Sequence, residues 1–83
     1  MWRREASVVW EDDGERIWAV HPAVGELVSL SGSAAVVWDW LGVPVDDMVP
    51  ELAAASGETE DVIRRDVGAC LAELKDLRLV TCD

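Results

Sequence analysis

The sequence has no phenylalanine and no tyrosine, so every aromatic contact must come from five tryptophans, Trp2, Trp10, Trp18, Trp38 and Trp40. Cations are scarce as well: seven Lys and Arg stand against 17 Asp and Glu, giving a net charge of −10. A nucleic-acid binder needs cations to displace phosphate counterions, and the only adjacent basic pairs are Arg3–Arg4 and Arg64–Arg65. Nonspecific partners such as nucleic acid or an anionic membrane are therefore disfavoured. The two cysteines, Cys70 and Cys82, lie far apart without a CxxC spacing. That leaves no zinc-ligand spacing and only weakly indicates a disulfide; reduced thiols in a cytoplasm are the simpler reading. No apolar run is long enough for a signal peptide or a membrane span, so the expected location is cytoplasmic.

What remains is an apolar fraction of 51% in 83 residues, which predicts one small domain over 1–83 with no deep catalytic cleft. Residues 6–10 (ASVVW) are β-branched and aromatic and predict a first strand, followed by an EDDGE turn centred on Asp13-Gly14. A second strand is predicted over 16–21, with Ile17, Ala19 and His21 on one face and Trp18 and Val20 on the other. After Pro22 and Gly25, residues 26–30 predict a third strand, with Leu27 and Ser29 opposing Val28 and Leu30. Short turns between successive strands imply an antiparallel meander in which this third strand is an edge.

From Ser31 the apolar period becomes helical. Ser31 and Ser33 offer capping oxygens, Ala34, Val37, Trp38 and Leu41 share a face, and Gly42 and Pro44 stop the helix. Trp38 and Trp40 point about 200° apart, so one core cannot bury both. A second helix is predicted over Asp46–Ser56, capped by Asp46 or Asp47 and with Pro50 in its first turn. The third and longest runs from Glu58 or Thr59 to Leu77, with Ile63, Val67, Cys70, Leu74 and Leu77 as its core stripe. Residues 79–81 can return as a short strand. The fold class is α+β: a winged-helix-like domain with a three-stranded antiparallel sheet followed by three helices, βββααα.

Catalytic chemistry finds little to stand on. His21, the one histidine, lacks a nucleophile and an orienting acid in any recognisable motif and reads as a strand-end surface residue. Glu11, Asp12, Asp13, Asp46 and Asp47 read as turn and cap residues, since EDDGE lacks the ligand spacing of a calcium loop. No phosphate loop, metal site or cofactor motif is present, so the expectation is a non-enzyme without cofactors. Binding remains, on two surfaces. The third strand's open edge can dock an extended peptide through its main chain. The third helix, the reading helix of a DNA-binding winged helix, presents Arg64, Arg65 and Lys75 among Glu58, Glu60, Asp61, Asp66, Glu73 and Asp76. That balance has the wrong sign for a DNA reader and suits a polypeptide better.

Three stretches in order carry a family resemblance. IWAVHPAVGELVSLSGSAAVVWDWL, with Leu30, Ala34 or Ala35, Val37, Trp38 and Leu41 at the helix-entry positions, is the first. VDDMVPELAAASG is the second, and IRRDVGACLAELKDLRLV, with Asp66, Val67, Leu71, Leu74, Leu79 and Val80, is the third. Together they resemble the PqqD-like family, the RiPP recognition elements. In this chain Ser31 stands where Asn is common, Arg78 where Gly often precedes the final Leu, and Trp40 where an aliphatic residue is usual.

The resemblance implies a peptide chaperone. It would bind the leader of a ribosomally made precursor as an added strand and present it to a modifying enzyme, a radical-SAM enzyme or a leader protease or cyclase. The implied rail is Glu26, Leu27, Val28, Ser29 and Leu30, and the groove wall is one flank of the third helix. One flank carries Val62, Asp66, Ala69 and Glu73; the other carries Arg64, Gly68, Leu71 and Lys75. The first is favoured, because Val62 and the small Ala69 beside Cys70 leave apolar room, and Arg65 can meet an acidic leader residue. A small DNA-binding regulator and a non-catalytic interface module of a larger enzyme are the rival readings. An exposed edge or a spare tryptophan can also pair two copies into a homodimer.

Overall fold

In the computed structural model, which describes residues 1–82, eight elements follow one another: β1 (Trp2–Arg4), β2 (Val9–Asp12), β3 (Ile17–Val20), β4 (Leu27–Leu30), α1 (Ser33–Asp39), α2 (Val45–Ser56), α3 (Glu60–Asp76) and β5 (Val80–Cys82). β2, β3 and β4 form the expected antiparallel meander in that order, and three helices follow it. Alternation fixes the register: Ile17, Ala19 and Leu30 are buried, while Trp18 and Val20 are half-buried and Leu27 and Ser29 exposed.

Two features depart from the pattern read in the sequence. β1 pairs with β5 in a separate two-stranded sheet, with Arg4 opposite Val80 and Trp2 opposite Cys82. The first meander strand also runs from Val9 to Asp12, starting three residues and ending two residues later than expected. Ala6 and Ser7 instead make the turn out of β1, where Val8 N–H donates to the Glu5 carbonyl at 3.0 Å. The tight turn then falls on 13–16. Asp13 Oδ1 accepts from Glu15 N–H and Arg16 N–H, and Asp12 Oδ1 accepts from Gly14 N–H. These carboxylates are turn residues.

Val37 and Trp38 of α1, Met48 of α2, and Val67, Leu71 and Leu74 of α3 join Ile17, Ala19 and Leu30 of the sheet in one core. Neither serine expected to cap α1 does so; Gly32 occupies the cap position at φ 58°. α2 begins one residue early behind Pro44, so Asp46 and Asp47 lie in its first turn, at the positive end of the helix dipole, and Pro50 lies beyond that turn. Thr59 caps α3, its hydroxyl accepting from Val62 N–H at 3.3 Å. α3 ends in a Schellman motif: Leu79 N–H donates to the Leu74 carbonyl and Arg78 N–H to that of Lys75, both at 2.9 Å. Arg78 takes the left-handed position at φ 60°, where a side chain is strained and glycine is usual.

One side of the core is organised around Arg4. Its guanidinium carbon lies 4.6 Å from the Trp10 ring centre and 5.2 Å from that of Trp38, while Nη2 donates to the Trp38 carbonyl at 2.8 Å. The two indoles meet edge to face at 5.8 Å. Trp40, on the neighbouring face of the α1 end, is half-buried against the core.

Candidate functional site

β4 sits at one margin of the meander, hydrogen-bonded to β3 alone among the described strands, so its other edge is open. Glu26 precedes the strand, and the rail proper is Leu27, Val28, Ser29 and Leu30. Leu27 and Ser29 turn to solvent, Val28 is half-buried and Leu30 is in the core. Arg16 reaches across from β3's entry, its Nη1 donating to Ser29 Oγ at 3.2 Å. Little on this edge blunts it: no proline and no bulge interrupts the pairing of Ile17–Val20 with Leu30–Leu27.

Three residues after β4 ends, α1 begins, and its first turn forms one wall of an apolar cavity of about 280 Å³. Three residues span at most about 11 Å, so Ser33 on the cavity wall lies within that reach of the end of the rail, although no β4 residue lines the cavity itself. Val36 and Val37 line it from α1, Leu52 and Ala55 from α2, and Ile63, Val67 and Cys70 from α3. Ser33, Ser56 and Asp66 supply the polar margin. The volume is just below the range of small-molecule pockets and suits a side chain better than a cofactor. Among the described residues no cluster of three His, Cys, Asp or Glu is arranged to hold a metal ion.

Of the α3 residues expected to face a peptide, Asp66 and Cys70 line this cavity. Val62 is half-buried, and Arg65, Ala69 and Glu73 are exposed outside it. Arg65 Nε lies 3.6 Å from Asp66 Oδ1, an exposed pair of small energetic weight. Burial first, and the Glu73 charge second, push the Cys70 thiol up. On the opposite flank Arg64 Nη1 meets Asp46 Oδ1 of α2 at 2.7 Å and Leu71 is fully buried, while Gly68 and Lys75 are exposed. Leu71 is thus a core residue and not part of the outer flank its spacing predicts. The core line is rotated toward it, which leaves Ile63 and Cys70 half-buried as cavity wall.

Sequence reasoning missed Val36, Leu52, Ala55 and Ile63 as site residues. Val36 left a signal, an apolar residue on the outward side of α1, and it is 42% exposed. His21 lies away from the cavity lining; its Nδ1 accepts from Ala23 N–H at 3.0 Å and closes the β3–β4 turn. No helix among the described residues is long and apolar enough to cross a membrane.

Comparison with known proteins follows the same lines. No curated protein matches the chain. The solved structure of TbiB1 in complex with the TbiA(beta) leader peptide shares the fold at a TM-score of 0.88 and 19% identity, covering 98% of this chain and 99% of that one. The family model for PqqD, coenzyme PQQ synthesis protein D, matches residues 15–80, from the turn before β3 to the first residue of β5. With most of its length matched in sequence and nearly all of it in fold, the chain belongs to the PqqD family, as a PqqD-like domain.

Proposed function

We propose that this domain binds the leader segment of a ribosomally synthesised precursor peptide and presents it to a peptide-modifying enzyme, itself performing no catalysis. The leader adds as a strand to the open edge of β4, so that main-chain hydrogen bonds supply affinity for any extended backbone. An apolar leader side chain enters the cavity between α1, α2 and α3, and supplies selectivity. Val62, Asp66, Ala69, Cys70 and Glu73 form the α3 wall of the groove. Arg65 meets the peptide only by leaving Asp66.

The observation that carries this reading is an unpaired strand edge beside an apolar, side-chain-sized cavity, in a chain of the PqqD family. The like-folded TbiB1 is in complex with a leader peptide, which supports the same role here. Calorimetry with synthetic leader segments of candidate precursor peptides tests it. Saturable binding is expected, lost when alternate leader amides are N-methylated, because those groups would pair with β4. Absence of heat and of any tryptophan fluorescence change would overturn the proposal.

A further inference from the structure

The sheet has a second face that neither the core nor an added strand covers. In the register of the meander Val9 lies opposite Val20, and Val20 opposite Leu27. Directly opposed residues of an antiparallel pair point to the same side, so these three form one row across the sheet. Ile17, Ala19 and Leu30 face the core, which puts the row on the outer face. Val9 is 64% exposed and Leu27 61%, and Val24, in the turn at the end of the row, is 41% exposed. Of the six exposed large apolar residues among those described, Val9 and Leu27 lie in this row and Val24 in the turn beside it, against Met1, Trp10 and Val36 elsewhere. Such gathering marks an interaction surface, where scattered residues would not.

The neighbouring row shows the contrast. Glu11, Trp18 and Ser29 are aligned there, and the aromatic ring is already engaged: Trp18 Nε1 donates to Asp13 Oδ2 at 2.9 Å and Arg16 lies over its face at 5.8 Å. That engagement also occupies Arg16, the one base between residues 8 and 30, against the acids Glu11, Asp12, Asp13, Glu15 and Glu26. The apolar row therefore sits in an acidic surround.

The structure assigns this row as the docking surface for the enzyme that modifies the bound peptide, through an apolar patch rimmed by lysine and arginine. The assignment rests on the leader-binding reading. A second copy fits poorly, because each carries a net charge of −10 and would bring acids against acids. The leader cannot cover the row either. Strands are spaced about 4.8 Å apart, so a strand added beyond β4 lies roughly 14 Å from β2 and reaches only Leu27. An enzyme seated on Val9, Val20 and Leu27 would instead touch the outward side chains of that added strand. Leader and enzyme then bind a composite surface, and each strengthens the other's binding.

The test is calorimetry of the domain against a purified candidate peptide-modifying enzyme, one that acts on the precursor whose leader the domain binds, with and without leader and over rising NaCl. The Val9→Ser/Val20→Ser double variant avoids every rail residue; leader affinity within twofold of wild type reports that its fold and rail are intact. Its enzyme affinity is expected to fall about tenfold or more, as for a patch worth ~1.4 kcal/mol. Glu11→Lys/Glu15→Lys, which keeps the apolar row, is expected to weaken binding and flatten its salt dependence. Enzyme affinity unchanged in both variants overturns the assignment, and so does a dimer in sedimentation that the double serine variant abolishes. If wild-type leader binding is absent, the leader reading fails, while the response of the enzyme to the serine variant still decides the surface.

Discussion

Replacing Arg4 by methionine removes the charge and the side-chain hydrogen bond from the core's edge while keeping an unbranched apolar stem. The guanidinium donates to the Trp38 carbonyl at 2.8 Å, a charge-assisted bond worth about 1.5–3 kcal/mol. It also lies over two indoles, each such contact contributing about 0.5–2 kcal/mol according to its desolvation. Against this, Arg4 Nε is buried with no hydrogen-bond partner among the described residues, and its removal recovers roughly 1–3 kcal/mol. The midpoints of these terms leave a net loss of about 3 kcal/mol for Arg4→Met. A domain of this size has roughly 4–12 kcal/mol in all, so Tm should fall by about 12–24 °C. Arg4→Lys, which keeps the charge but not the flat guanidinium, should fall between the two. Thermal melts followed by circular dichroism at 222 nm, with urea titration for the free energy, measure both. A methionine variant melting at or above the wild-type temperature would refute the reasoning, since it would mean that desolvation outweighs every contact Arg4 makes.

Arg78→Gly should stabilise the fold by about 0.5–1 kcal/mol, because relief of the left-handed strain at φ 60° exceeds the glycine's added unfolded-state entropy; an unchanged or lower Tm would contradict this. Hydrogen bonds from Arg16 N–H first, then from the Trp18 indole and Glu15 N–H, lower the Asp13 carboxyl from 3.8 to about 2. Its stabilising contribution is therefore present above pH 3.8 and lost as pH falls through about 2, so Asp13→Asn should flatten Tm against pH in that window. Parallel profiles for the two proteins would count against it. Because burial raises the Cys70 thiol, alkylation by iodoacetamide at pH 8 should be slower in a Cys82→Ser variant than in the same variant unfolded in urea. Once attached, a bulky maleimide at Cys70 should fill the cavity and reduce leader affinity more than tenfold, whereas a modified protein with full affinity would place the peptide elsewhere.

The meander and the helices were legible because their patterns are local. Ile17 and Ala19 alternate with Trp18 and Val20, and α3 repeats its apolar residues at helical spacing behind the Thr59 cap. β1 and β5 were not, or only in part. A three-residue strand with two arginines has no periodicity to detect, and its partner lies across nearly the whole chain. The open edge of β4 followed from turn lengths alone. The cavity did not: Ile63 and Cys70 read as core, and only the rotation of α3 toward Leu71 leaves them as a wall. Apolar spacing identifies a broad helical face; which side of it stays uncovered depends on how the neighbouring helices sit.

The pairing of Arg4 with Val80 also sets an order of events during folding. The meander and the α2–α3 hairpin close short loops, which form quickly. The β1–β5 ladder closes a loop of about 75 residues, whose entropy must be met before any contact rewards it, so it should form late. On the ribosome, therefore, the guanidinium of Arg4 cannot be locked in place against its strand partner until residues 80–82 have emerged. Trp10 and Trp38 are then expected to pair more loosely until the closing strand is made, and tryptophan fluorescence of a chain truncated before residue 80, unchanged from the full chain, would contradict this.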